Sequence, residues 1–173
     1  MDKLPPLPNP VNQKKGKKNR EEGRAFEEIL DHTFAYYSSK GYAQIDKTPE
    51  PFKIIRRMGE GRFLGCFIKR AQPDYKGTIK GGRTVIFEAK YTSGDRLTQD
   101  RVSDIQAAYM DQASALGARC FVLAGFKHGG VYRIPWSDWT SMKEKFGHKY
   151  VTENDLQAYR ISKSWNDLLL ILD

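Results

Sequence analysis

The chain has 173 residues, a length that suits one domain around a single core. Lys and Arg number 29 against 21 Asp and Glu, and the resulting charge of +8 favours a polyanionic partner, nucleic acid being the usual one. No run of about 18 apolar residues occurs, which excludes a membrane-spanning helix. Prolines stand where a secretory leader would need an apolar stretch, so a cytoplasmic location is expected.

Residues 1–20 read as a flexible basic arm. Pro5, Pro6, Pro8 and Pro10 block regular structure, and KKGKKNR (14–20) supplies Lys14, Lys15, Lys17, Lys18 and Arg20, with Arg24 just beyond. Such a segment buries no apolar face by itself and is expected to lie on phosphates. From Glu21 to Ser39 the pattern becomes helical, with Phe26, Ile29, Leu30, Thr33 and Tyr37 recurring at three- and four-residue steps as one stripe. Gly41 is placed to stop this helix. Tyr42–Lys47 predicts a short strand.

FKIIRRM (52–58) and RFLGCFIK (62–69), joined by Gly59-Glu60-Gly61, predict a β-hairpin. Lys53, Arg56, Arg57, Arg62, Lys69 and Arg70 stand there against the single acid Glu60. PDYKG (73–77) reads as a turn, and Thr84-Val85-Ile86-Phe87 as the body of a buried central strand that ends in Glu88-Ala89-Lys90. Residues 101–117 predict a helix with Val102, Ile105, Ala108, Tyr109, Gln112, Ala113 and Leu116 on one side, capped by Gly117. CFVLAGF (120–126) and VYRI (131–134) predict paired strands, and WSDWTSMKEKF (136–146) a further helix. Cys66 and Cys120 have neither zinc nor disulfide spacing and read as buried thiols. His32, His128 and His148 lack metal-ligand spacing, and Trp136, Trp139 and Trp165 read as packing groups. This order of elements predicts an α/β fold, a central mixed β-sheet flanked by helices, with residues 21–173 as one domain.

The chemistry-bearing residues cluster late in this order. Phosphodiester hydrolysis needs a divalent cation held by carboxylates and a further cation near the developing charge. Asp74 precedes the central strand, and Glu88 and Lys90 share one face of it because strand side chains alternate. A charged pair on a buried strand must be paired or bind metal. The bland alternative is a turn Asp beside a surface Glu–Lys pair. On the first helix, Glu27 or its neighbour Glu28 offers a third carboxylate. Gln106, on the helix after the strand, offers an amide to orient a water, or is simply an exposed polar residue.

The pattern PD…ExK resembles the PD-(D/E)xK nuclease superfamily. More narrowly, NR…GRAFEEIL (19–30), KTPEPFKII (47–55), DYKGTIKGGRTVIFEAK (74–90) and Gln106–Met110 resemble the RecU-type Holliday junction resolvases. The resemblance spans residues 19–134, with no family signature after about 135. It implies a restriction-endonuclease-like core, a protruding basic hairpin stalk at about 52–70, and a homodimer that resolves four-way DNA junctions by paired symmetric nicks. It further implies that Asp74 and Glu88, with the Ala89 carbonyl as a possible third ligand, hold magnesium, for which manganese can substitute. Lys90 then serves the nucleophilic water, and Glu27 and Gln106 match the family's helix acid and helix glutamine. Two rival readings remain: a non-catalytic DNA-binding accessory module, and a nuclease of the superfamily acting on flaps or duplexes. The hairpin is about four residues shorter than is usual for the family, Pro73 replaces a hydroxyl residue before the Asp, and Glu21-Glu22 are inserted. These departures suit a divergent or phage-encoded member.

Overall fold

The computed structural model describes residues 10–49, 51–68, 72–164 and 168–172, with side chains described from residue 21 onward. In chain order it contains α1 (Pro10–Ser39), β1 (Ala43–Lys47), β2 (Phe52–Gly59), β3 (Arg62–Phe67), β4 (Tyr75–Ile79), β5 (Thr84–Thr92) and β6 (Leu97–Thr98). There follow α2 (Asp104–Ala115), β7 (Arg119–Phe126), β8 (Val131–Pro135), α3 (Trp136–Thr140), α4 (Met142–Phe146) and β9 (Tyr150–Val151).

Five strands make the main sheet in the order β1-β4-β5-β7-β8. β5 and β7 run parallel, joined through α2, while the other neighbours are antiparallel. The sheet is therefore mixed, as the order of elements predicts. Alternation along β5 divides its side chains between two cores. Val85 and Phe87 pack with α1 through Phe26, Leu30, Phe34 and Tyr37, and with the C-terminal residues Leu169 and Ile171. Ile86 joins Met110, Val122, Ile134, Trp136 and Trp139 on the opposite face. The Tyr75, Phe87 and Phe121 rings stack across three strands, with centroids 5.0 and 4.7 Å apart, which fixes the lateral register of β4, β5 and β7. The Tyr37 hydroxyl donates to the Leu169 carbonyl at 2.7 Å and accepts from the Ile171 N–H at 2.9 Å, tying the chain end to α1.

Several local expectations need correction. α1 begins at Pro10, so residues 10–20 continue the helix where the prolines suggest irregular backbone. A proline at the first helical position costs no hydrogen bond, and the Lys and Gln residues that follow favour helix. The side chains of Lys14, Lys15, Lys17, Lys18 and Arg20, and all of residues 1–9, lie outside the described residues. On α1, Ile29 is 44% exposed and Phe34 takes its place in the core, because the buried stripe runs Phe26-Leu30-Thr33-Phe34-Tyr37. On α2 the buried residues are Gln106 and Met110, whereas Ile105 and Leu116 are exposed. PDYKG forms no turn. Tyr75–Ile79 is a strand, and the turn comes at 80–82. Gly77 is required there because a Cβ would lie 2.1 Å from the Gln44 carbonyl oxygen of β1. The predicted helix 136–146 is two short helices meeting at Ser141. Cys120 is buried as expected, but Cys66 is exposed on the hairpin.

β2 and β3 form a separate two-stranded ribbon that contributes no residue to either core. Apart from Gly65, its strand residues are exposed. The register pairs Phe52 with Phe67 and Arg57 with Phe63. The Phe52 ring sits 5.2 Å from Phe63 and 5.5 Å from Phe67, and it occupies the space that a Cβ at residue 65 would need. Lys53 pairs with Cys66 and Arg56 with Leu64, which puts these two cations on the other side. One face of the ribbon thus carries the phenylalanines together with Arg57, and the other carries Lys53 and Arg56 beside Cys66 and Leu64.

Candidate active site

Tyr75↔Phe87 is the last pair of the β4–β5 register, and Asp74, just before it, comes to Glu88, just after it. Two hydrogen bonds tie Asp74 to the Glu88-Ala89 segment of β5. The Asp74 N–H donates to Glu88 Oε2 at 3.2 Å, and the Ala89 N–H donates to Asp74 Oδ2 at 3.1 Å. Lys90, on the same side of β5 as Glu88, donates to Glu88 Oε1 and lies 3.8 Å from Asp74 Oδ2. The bland reading of an exposed Glu–Lys pair does not describe this site, since Glu88 is fully buried and Lys90 only 17% exposed.

Gln106 comes to the same carboxylate from α2. It is 6% exposed, and its Nε2 donates to Glu88 Oε1 at 2.5 Å. Its orientation is set by Ser103, whose N–H and Oγ both donate to Gln106 Oε1, at 3.0 and 2.9 Å. Ser103 is also the N-cap of α2, completing a capping box with Gln106 at the third helical position. The Ser-Asp-Ile-Gln sequence carries that signature, and reading it would have moved the helix start to 104 and turned Gln106 inward.

Burial pushes the Glu88 carboxyl up to about 7. The Lys90 ammonium pulls it down, and the Asp74 negative charge adds to the rise. Two carboxylates facing each other beside one ammonium leave an excess of negative charge that a divalent cation would neutralise. Among the described residues no three His, Cys, Asp or Glu side chains converge as a metal cage. The donor set is therefore hard oxygen from two carboxylates, which fits magnesium or manganese completed by water and substrate and does not fit structural zinc.

Glu27 is not hydrogen-bonded to this group. It is 42% exposed and pairs with Lys47 at 2.5 Å. That hydrogen bond chiefly raises the Lys47 pKa, with the charges of Asp31 and Asp74 adding to it. The Tyr75 hydroxyl donates to Asp31 at 2.9 Å. Glu27 is thus held by Lys47 and not by the acid pair, while Glu28 is exposed. Lys47 escaped sequence reasoning because a Lys at the end of an edge strand carries no spacing signal of its own. Of the residues expected to meet DNA, Arg24 on α1 and Lys53, Arg56, Arg57 and Arg62 on the ribbon are exposed. Arg62 is paired with Glu60 at 3.1 Å. Lys69 and Arg70 lie outside the described residues.

With this geometry in hand, three comparisons bear on identity. The family model for recombination protein U matches residues 21–171, so family character extends well past residue 135. The Holliday junction resolvase RecU of Streptococcus pneumoniae is 32% identical over 135 residues, covering 74% of this chain and 67% of that protein. The Holliday junction resolvase RecU of Pediococcus pentosaceus is 28% identical over 160 residues, covering 85% of this chain and 79% of that one. Among solved structures, the Holliday junction resolvase Hjc of Archaeoglobus fulgidus is 15% identical with a TM-score of 0.45, covering 76% of this chain and 92% of that one, a likeness too remote to argue from.

Proposed function

Since the chain belongs to the RecU family, we propose that it is a metal-dependent endonuclease that resolves four-way DNA junctions by paired symmetric nicks. The observation that carries this reading is the double hydrogen bond of Asp74 to Glu88 and Ala89, with Lys90 and Gln106 closing on the same buried Glu88 carboxylate. Such an arrangement is costly for folding alone, because a fully buried carboxylate prefers to be neutral.

Asp74 and Glu88 would hold magnesium, or manganese in its place, with the Ala89 carbonyl offering a third oxygen. When bound, the ion supplies Lewis acidity, which favours hydroxide at neutral pH and offsets the charge of the phosphate. Lys90 positions the attacking water and meets the negative charge that develops on the phosphorus oxygens. Gln106 keeps Glu88 in one rotamer. Glu27 acts at a distance, by holding Lys47 beside Asp74. The exposed cations of the ribbon, together with the basic residues that the sequence carries in its N-terminal segment, grip the arms of the junction, and two copies of the chain place one site on each of two opposed strands. A cytoplasmic location suits this role, and among the described residues no helix is long and apolar enough to cross a membrane.

The test is cleavage of a synthetic four-way junction beside a linear duplex and a flap, with magnesium and with chelator. Symmetric, magnesium-dependent nicks in the junction alone are expected. Tight binding without cutting in either metal would sink the enzyme reading in favour of an accessory DNA-binding module. Equal cutting of the flap or duplex would sink the junction preference.

A further inference from the structure

We propose that Lys76 is a second phosphate-binding cation of this site, contacting the phosphodiester next to the one that is cut. The inference rests on the nuclease reading above and adds a residue to it. Lys76 lies two positions after Asp74, so strand alternation sends both side chains to the same side of the sheet, about 7 Å apart along β4. Its partner in the register is Ile86, which shares that side with Glu88 and Lys90.

Lys47, Lys76 and Lys90 stand on three neighbouring strands, and they differ in what holds them. The charge of Lys90 is opposed by Glu88 and Asp74, and that of Lys47 by Glu27. Lys76 is held by neutral groups. Its Nζ donates to Gln72 Oε1 at 2.5 Å and lies 5.3 Å from the centroid of the Tyr109 ring. Among the described residues it forms no ion pair with a carboxylate. A long side chain loses rotamer freedom when it is fixed. An amide oxygen and a ring face fix it here without cancelling its charge. The result is a placed ammonium whose field is available to an anion.

The surroundings suit a nucleotide chain. On the side of Lys76 away from Asp74, a cavity of about 540 Å³ opens between Tyr109, Ile86, Ala113 and Leu116, with Arg83 also on its wall. A DNA strand whose scissile phosphate faces Asp74 and Glu88 would pass its next phosphate by Lys76 and lay a sugar against that apolar wall. Tyr109 is then a positioning residue, acting through Lys76.

The experiment is junction binding in chelator, where nothing is cut, over a range of salt concentrations for the wild type, Lys76→Gln, Lys76→Arg, Tyr109→Phe and Tyr109→Leu. Loss of one phosphate contact lowers the slope of log affinity against log salt by about 1. Lys76→Gln is expected to show that loss, Lys76→Arg to retain the wild-type slope, and Tyr109→Phe to keep what Tyr109→Leu weakens. Single-turnover cleavage by Lys76→Gln should also slow, with the nick position unchanged. An unchanged slope and rate in Lys76→Gln overturns the proposal while leaving the nuclease reading intact. If the wild type binds but never cuts, the nuclease reading falls, and the slopes still decide whether Lys76 meets a phosphate. If the wild type binds no DNA, both fall.

Discussion

Gln106 and Glu88 lie 18 positions apart in the chain, and the amide of the first donates to the carboxylate of the second at 2.5 Å. Gln106 can do this in only one orientation, because Ser103 occupies its carbonyl oxygen from two directions. A helix cap and the buried Glu88 carboxylate are therefore parts of one hydrogen-bond chain. Gln106→Leu should weaken metal dependence about 10–100-fold, the usual effect of losing an outer-shell partner. Half-activation by magnesium in a cleavage assay measures it. An unchanged magnesium requirement would remove Gln106 from the site.

Ser103→Ala should cost about 1 kcal/mol through the lost cap, roughly 2–4 °C in melting temperature for a chain of this size. It should also reproduce part of the Gln106→Leu defect. Loss of stability with an unaltered magnesium requirement would mean that Ser103 caps the helix and does nothing else.

Asp74→Asn and Glu88→Gln each remove a carboxylate that the proposed function assigns to metal and phosphate. Cleavage is expected to fall by more than the roughly 10²-fold seen for outer-shell partners. Junction binding should be retained or tightened, since repulsion of the phosphate is reduced. Gel-shift and cleavage assays on the same junction separate the two effects, and normal cutting by both variants is incompatible with the assignment.

The raised pKa of Glu88 gives a signed prediction. Its folded value, about 7, lies above the ordinary 4.5. Between these two values the folded metal-free chain binds more protons than the unfolded chain, so this group makes the fold less stable as pH rises through that window. Metal must displace the same proton. Apparent magnesium affinity should thus fall about tenfold per unit below pH 7 and level off above it. Titrations at pH 6 and pH 8 that give equal affinity would contradict a raised Glu88 pKa.

The ribbon can be probed without harm to the fold, because it lends nothing to either core. Arg56→Gln combined with Arg57→Gln should reduce the salt slope of junction binding by up to about 2 and leave the melting temperature within a degree or so. A large drop in melting temperature would show that the ribbon is packed in solution.

Much of this was legible in the sequence because it follows from periods. The apolar run 84–87 with Glu88 and Lys90 beyond it specifies a buried strand with two charged groups on one face, and that is its form here. What was illegible depended on partners distant in sequence. Ile29 sits at a stripe position but faces outward, because α1 leans on the sheet through Phe34, whose ring packs 5.3 Å from Tyr75 and 5.5 Å from Phe87. The segment PDYKG has turn residues, yet pairing with β1 on one side and β5 on the other makes it a strand. Glu27 is readable as a helix acid, but nothing local says that Lys47 will claim it.

The register of β4 against β5 has a consequence for the cell that makes this protein. Asp74 and Glu88 reach one another only when Tyr75 lies opposite Phe87, and Gln106 joins them only after α2 has docked. A chain still emerging from the ribosome, or one trapped with its strands offset by a residue, has its acids scattered. An unfinished chain therefore lacks the joined Asp74, Glu88 and Gln106 on which the proposed cleavage depends.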